Sequence, residues 1–444
     1  MNILHVTPHL GGGVGKAHAV IAAALQESIQ QTFLLLEEPR DRFYVERIEA
    51  AGARVVVAED LHHVERLAKA ADIVQFEFWN HPRLFECLAR CDFPAMRSMF
   101  WSHISGLQAP LIPPGLIEAA GCFALSTVAS LSVPPVAAHK AASPDKFAVI
   151  NSGFGFADPS PRKPPVTGRP VIAYLGTVDF IKMNPVFFEV IDRLEGDDIR
   201  VPVWGAPASD VVRRATAMRH PDRVQFCGQT ADPARVLSSA DIFFYPLQAD
   251  HYGTSENALI EPMSLGLAPV VLDNPVEKAI VRDGVTGRVV RSADECADAL
   301  QMLMAAPDAV DRMGQTAARD VADTRSPAAS AQQFMDVWRR LSDDPVRNCD
   351  FRSAIGATPA DWFLATQRLP GASWDASAYK ARSGASKGTL EHFESVFGGD
   401  KSLAMLRQDM ARRNTAAPGA DYFGALPSGV SESGGLARHG SSRM

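Results

Sequence analysis

The chain is poor in cysteine, has no dominant charge and holds no uninterrupted apolar run, and each shortage removes a class of protein. Six cysteines in 444 residues are scattered rather than framed, which excludes a disulfide scaffold. Only Cys87 and Cys91 are close. Without a nearby histidine or a second pair they are a weak zinc signal, and the thiols read as reduced groups of a cytoplasmic protein. A net charge of -7 gives no basic field, so nucleic acid is not an expected partner. The longest apolar segment, 111–138, is broken by Glu118 and by Pro113, Pro114, Pro134 and Pro135, so it is not a membrane span. Met1 leads straight into a strand pattern, and no signal peptide is expected ahead of it. No basic amphipathic helix demands a membrane, which leaves only weak surface contact open.

Two nucleotide-binding fingerprints are also missing. Residues 8–15 (PHLGGGVG) form a glycine-rich turn between the strand pattern 2–7 and a helical pattern carrying Val20, Ile21, Ala24 and Leu25. A phosphate-binding P-loop fails here because Lys16 is followed by Ala17 and Leu10 stands where the first glycine belongs. The dinucleotide pattern fails as well, since Lys16 or His18 occupies its third glycine position. Glycines in such a loop still let a backbone approach a ligand closely.

What is present is a long alternation of strands and helices. Strand patterns fall at 32–36, 54–57, 72–76, 96–101, 121–125 and 147–150, and a second series at 170–175, 200–204, 223–227, 241–245, 268–272 and 287–290. Alternation of this kind predicts parallel, doubly wound sheets, because the crossover helices cover both faces. The chain is too long for one ordinary core and fits two such domains. Between them, 151–169 carries four prolines and three glycines with no apolar period, the composition of a linker. Residues 328–341 predict a terminal helix with Ser326 and Pro327 ahead of it. Residues 343–413 hold helical patterns at 389–397 and 401–412 and show no chemistry. From 414 to 444 a Gly/Ser/Ala-rich end predicts disorder.

The stretch 251–271 (HYGTSENALIEPMSLGLAPVV) is the most informative. It lies between two strand patterns, so its middle predicts a helix starting near Asn257, with Ser255 and Glu256 as cap-type residues and Gly266 at its stop. Ligands of open α/β sheets bind where strands end and helix N-termini point, and phosphate suits the free N–H groups there. Two further strand-end loops stand out: 77–82 (EFWNHP), whose aromatic and amide groups would grip an acceptor, and 101–106 (WSHISG).

The run SENALIEPMSLGLAPVV resembles the donor-binding segment of retaining GT-B glycosyltransferases, in particular glycosyltransferase family four. There two glutamates separated by seven residues flank the helix start. The second falls on Glu261, for which the resemblance implies hydrogen bonds to the nucleotide ribose. The first falls on Gly253, a departure, and Asp250 and Glu256 are the nearby substitutes for a catalytic carboxylate. The resemblance also implies that His103 lies close to the donor sugar and that Lys182 reaches the diphosphate. Thr177 stands where the family has a second cation. It further gives Asn257, Ala258 and Leu259 as backbone donors to phosphate, and Gly12, Gly13 and Gly15 as the loop facing the reacting side.

The fold so implied is GT-B: an acceptor-side Rossmann-like domain over 1–150, linker 151–169, a nucleotide-sugar domain over 170–342, a helical extension over 343–413 and a disordered tail. The implied activity is hexosyl transfer, with retention, from a nucleotide-sugar to a sugar, lipid-linked or other hydroxyl acceptor in polysaccharide or glycoconjugate synthesis. No cofactor or metal is required. Gly253 and Thr177 keep two alternatives open, a catalytically impaired partner subunit and a nucleotide-sugar epimerase.

Overall fold

The computed structural model describes residues 1–25, 29–153, 168–254, 256–368, 379 and 388–416, the side chains of 256 and 413–416 excepted. The first sheet has strands β1 (Asn2–Thr7), β2 (Gln30–Leu35), β3 (Arg54–Val57), β4 (Ile73–Phe78), β5 (Ser98–Ser102), β6 (Cys122–Leu125) and β7 (Phe147–Val149). Their order is β3-β2-β1-β4-β5-β6-β7 and every pairing is parallel. The second sheet has β8 (Ile172–Leu175), β9 (Val201–Trp204), β10 (Val224–Gly228), β11 (Ile242–Tyr245), β12 (Ala268–Leu272) and β13 (Arg288–Val290) in the order β10-β9-β8-β11-β12-β13, again all parallel. The central strands are covered on both faces, which is why β4, β5, β6 and β11 are buried along their whole length.

In both sheets the strand order reverses beside the first strand, between β1 and β4 and between β8 and β11. A crevice opens at the carboxyl ends of such strands. The loops after β1, β4, β8 and β11 are therefore the places to look for a ligand.

The helix Pro327–Asp343 returns from the second domain to the first. Its cap is Ser326, whose side chain accepts from the Ala329 amide at 3.2 Å. Trp338 on this helix is buried and donates from its indole nitrogen to Gln75 of β4 at 3.0 Å. The predicted linker lies mostly outside the described residues. Its start is pinned, since the Asn151 amide donates to Gln333 at 3.1 Å and Arg325 donates to the Asn151 side chain at 2.9 Å.

The helices Phe351–Ile355, Pro359–Ala365 and Leu390–Val396 bury Phe351, Trp362, Phe363, Leu390 and Phe393 in the same apolar cluster as β4, β5 and β6. Phe351 meets Phe76 and Phe100 edge-on, and Phe393 lies 5.9 Å from Phe85. The extension is thus part of the first domain's core rather than an appendage. The predicted disordered tail lies outside the described residues from 417 onward. Among the described residues no helix is long and apolar enough to cross a membrane.

Candidate functional site

A cavity of about 460 Å³ lies between the two sheets, walled by the loops after β1, β2, β4, β5, β8 and β11. From the first domain the helix Gly12–Ala24 enters it with Gly11 as its cap and no side chain on the first amides. Those N–H groups are left for a ligand. Gly12 has φ +63, a conformation that strains any side chain, and a Cβ on Gly13 would lie 2.4 Å from the Asn257 amide nitrogen. Gly13 and Asn257 therefore meet across the cleft. Gly15 is glycine for a different reason, because a Cβ there would strike the Leu10 carbonyl, so it serves the turn and does not line the cavity.

The second domain supplies Lys182, Tyr252, Gly253, Asn257 and Ala258. Buried His251 contacts buried Glu277 at 2.9 Å and so anchors the loop after β11. That loop puts the Tyr252 ring 5.2 Å from the Lys182 ammonium and Gly253 beneath it, where a Cβ would be 3.0 Å from Nζ. The absence of a side chain at 253 leaves room around the lysine.

His103 faces the cavity from the end of β5, and its other side meets a buried carboxylate. Glu77 Oε2 lies 2.9 Å from His103 Nε2, while Oε1 lies 3.3 Å from His5 Nδ1, 3.0 Å from His18 Nε2 and 2.9 Å from the Gln75 amide. Burial opposes charge on Glu77, but attraction to His18 and the hydrogen bonds from the imidazoles outweigh it, and the carboxyl is held well below its ordinary range. An ionised carboxylate only accepts, so His103 Nε2 carries the proton. Burial also lowers the His103 pKa, against the opposing pull of Glu77. The ring is neutral at pH 7, and its Nδ1 is a lone pair.

A second group of side chains lines the first-domain wall: His9, Glu37 and His81, whose ligand-type atoms lie within 4.8 Å of one another. The spacing suits a divalent cation, but the tautomers do not. Nδ1 of His9 accepts from the Gly11 amide at 3.0 Å and Nδ1 of His81 from the Arg83 amide at 3.2 Å. Each neutral ring therefore carries its proton on Nε2, the atom that would have to ligate. The other group with ligand spacing among the described residues, His5, His18 and Glu77, is wholly buried. Cys87 and Cys91 have sulfurs 3.8 Å apart and, among the described residues, form no group of three with ligand spacing.

The structure thus brings Gly12, Gly13, His103, Lys182, Asn257 and Ala258 into one cavity. Leu259 is buried in the core beneath it. Glu261 is not on the cavity wall; it is buried and paired with the ammonium of Lys16 across the domain boundary. Burial, then the charge of Arg47, lowers the Lys16 pKa to about 8, while the carboxylate favours its charged form, so the pair is ionic at pH 7. Asp250 is exposed and off the wall, so its substitution for the glutamate at 253 is not supported by its position. The Glu256 side chain lies outside the described residues. In the loop 77–82 only Trp79 is left half-open, because Glu77, Phe78 and Asn80 are fully buried, contrary to the expectation of exposed grips.

Sequence reasoning did not single out Glu77, Glu37, Lys16 or His392 as site residues. Gln75 and Glu77 at alternate positions of an otherwise apolar strand, with His5 in another, were the available signal for the buried network. No local signal could have placed His392, which comes from the extension expected to show no chemistry.

Residues 169–306, the second sheet domain, match the sequence model of the family Glycosyl transferases group 1. No curated protein sequence matches the chain. Among solved structures, a glycosyltransferase from Rickettsia africae ESF-5 has a TM-score of 0.59 at 13% identity, covering 77% of this chain and 99% of that one. Anabaena Alr3699/HepE, solved with UDP and glucose, has a TM-score of 0.59 at 14% identity over 77% of this chain and 100% of its own. A sucrose-phosphate synthase from Thermosynechococcus elongatus has a TM-score of 0.57 at 16% identity over 77% and 99%. The fold is that of the GT-B glycosyltransferases. Within that class, residues 169–306 carry the Glycosyl transferases group 1 signature.

Proposed function

We propose that the chain transfers a sugar from a nucleoside-diphosphate sugar to a hydroxyl acceptor, with retention at the anomeric carbon. The observation that carries the reading is the meeting of Lys182, the open amides of the Gly12–Ala24 helix and the Asn257 end of the Glu256–Ser264 helix in one cleft between two parallel sheets. An ammonium and helix N-termini are what a departing diphosphate needs when the bond from its oxygen to the sugar breaks. The likeness to a protein solved with UDP and glucose agrees with that class of donor.

Retention, implied by the family resemblance, requires the acceptor oxygen to reach the sugar from the face the diphosphate leaves. There the departing phosphate oxygen is the nearest base and takes the acceptor's proton. His103 Nδ1, held as a lone pair by Glu77, accepts from a hydroxyl of the donor sugar. Lys182 and the helix amides neutralise the diphosphate without a metal. The test is release of nucleoside diphosphate from a panel of UDP-, GDP- and ADP-sugars with and without a chelator. The reading expects one donor class to be hydrolysed slowly and chelation to leave the rate unchanged. No turnover of any donor would favour the partner-subunit alternative, in which the nucleotide site is kept and chemistry lost.

A further inference from the structure

The wall of the cleft opposite the donor side holds three imidazoles in one tautomeric state. His9 and His81 carry their protons on Nε2 for the reason given above. His392, on the helix Leu390–Val396, does the same, because its Nδ1 accepts from the Gly388 amide at 3.0 Å. The rings of His9 and His81 are 5.5 Å apart, and those of His81 and His392 are 4.6 Å apart. Glu37 Oε1 sits 3.6 Å from His81 Nε2 and 3.9 Å from His9 Nε2, beyond hydrogen-bond length. Among the described residues the three Nε2–H groups have no hydrogen-bond partner, and they border the cavity. Half-buried Trp79 stands beside them, 5.3 Å from His9 and 6.0 Å from His103, with none of its imidazole neighbours parallel to it.

We propose that His9, Glu37, Trp79, His81 and His392 form the acceptor subsite of this cleft, that it takes a neutral sugar ring, and that the C-terminal extension completes it by delivering His392. The proposal rests on the reading of the cleft as a glycosyltransferase site. Three fixed N–H donors, a carboxylate and an indole are the groups a hydroxylated ring uses, with hydroxyls bonding to the polar edge and C–H groups against the aromatic one. The charge disfavours an anionic ring. Arg40 is the cation on this part of the wall, against the carboxylates of Glu37 and Asp41, and burial keeps His81 and His392 neutral by lowering their pKa values to about 2 and about 4. Trp79 lies between the imidazoles and His103, so a ring seated there has an edge toward the reacting side.

The placement of His392 is built, not incidental. Asn80, buried at φ 69, donates from its side-chain amide to the Gly388 carbonyl at 3.3 Å. Gly388 has φ +74, and a Cβ there would lie 2.2 Å from both the side-chain amide nitrogen and the backbone carbonyl oxygen of Asn80. Thr389 caps the helix by accepting from the His392 amide at 3.2 Å, and Arg407 holds Glu391 and Glu394 on its far side at 3.0 and 2.6 Å. The extension is thus keyed to the loop that carries Trp79 and His81.

The experiment measures saturation-transfer NMR affinities of methyl α-D-glucopyranoside, methyl α-D-mannopyranoside, methyl β-D-galactopyranoside and glucuronate. These are taken for the full chain and for Trp79→Ala, His392→Ala and Gly388→Ala, beside UDP, GDP and ADP titrations and thermal unfolding. At least one neutral glycoside should bind, and each variant should weaken it about tenfold, the loss of one hydrogen bond or contact. Melting should stay near that of the unaltered chain in Trp79→Ala and His392→Ala and fall in Gly388→Ala, whose added Cβ meets Asn80, while nucleotide affinity stays unchanged in all three. Glycoside affinity unchanged in His392→Ala and Gly388→Ala overturns the role of the extension. Tighter binding of glucuronate, or no binding of any neutral glycoside, overturns the subsite. Glycoside binding without any nucleotide binding supports the subsite and removes the donor reading instead.

Discussion

Glu77 Oε2 lies 2.9 Å from His103 Nε2, and this one contact sets which nitrogen of His103 faces the cleft. Glu77→Gln removes the charge that fixes the tautomer while keeping the shape. Nitrogen-detected NMR should show His103 as the Nε2–H form in the unaltered chain and a mixture in Glu77→Gln. Turnover should fall by about tenfold or more, and affinity for the nucleotide-sugar should fall with it while affinity for the free nucleoside diphosphate is unchanged. An unaltered tautomer together with an unaltered rate would mean that Glu77 serves only the fold.

Lys16 and Glu261 tie the two domains together. Removing one partner strands the other's charge at a largely buried position, so Lys16→Met and Glu261→Met should each destabilise by about 2–3 kcal/mol, toward the lower end for buried pairs because Lys16 is partly open. The double variant should lose less than the sum, since both charges are gone. Denaturant unfolding measures all three, and strict additivity would show that the contact is not energetically coupled.

Gly253 stands where the sequence resemblance implies a carboxylate, 3.0 Å in Cβ terms from Lys182 Nζ. In Gly253→Glu the new carboxylate pairs with that ammonium and competes with the diphosphate. Nucleoside-diphosphate affinity should drop about tenfold, the effect of neutralising one charge-assisted contact. Calorimetric titration decides it, and equal or tighter binding would show that the lysine has room for both.

The pH dependence of stability follows from the lowered imidazole pKa values. Burial first, then the neighbouring imidazoles and the Arg83 and Arg40 guanidinium groups, lower His81 to about 2, so the unfolded chain accepts a proton near pH 6.5 that the folded chain refuses. Stability is therefore complete above pH 6.5 and falls as pH drops below it. His81→Asn keeps an acceptor for the Arg83 amide and removes the titration. Between pH 6.5 and 5 its stability should fall less steeply, by about 1 kcal/mol per pH unit on average. Unfolding midpoints across that range give the slope, and identical slopes would show that His81 titrates normally.

The fold was largely legible because both signals it depends on are local. Continuous apolar strands marked every strand of both sheets to within a few residues, and the glycine turn and the Asn257 helix marked their ligand ends. Lys182, His103, Asn257 and the glycines were readable as loop residues at those ends. Glu261 reads as a ligand contact in sequence, yet in the structure it meets Lys16, a partner 245 positions away that no spacing rule connects. His392 is a similar case. Its role comes from where the extension packs, and that is decided by Phe351, Phe393 and the Asn80–Gly388 contact rather than by any local pattern.

The most direct test of the cleft's assignment is calorimetric titration of UDP, GDP and ADP into the chain and into Lys182→Ala. The account predicts saturable binding of one of the three, weakened at least about tenfold in the variant while the melting temperature holds. Binding of none, or binding indifferent to Lys182, would contradict the donor site.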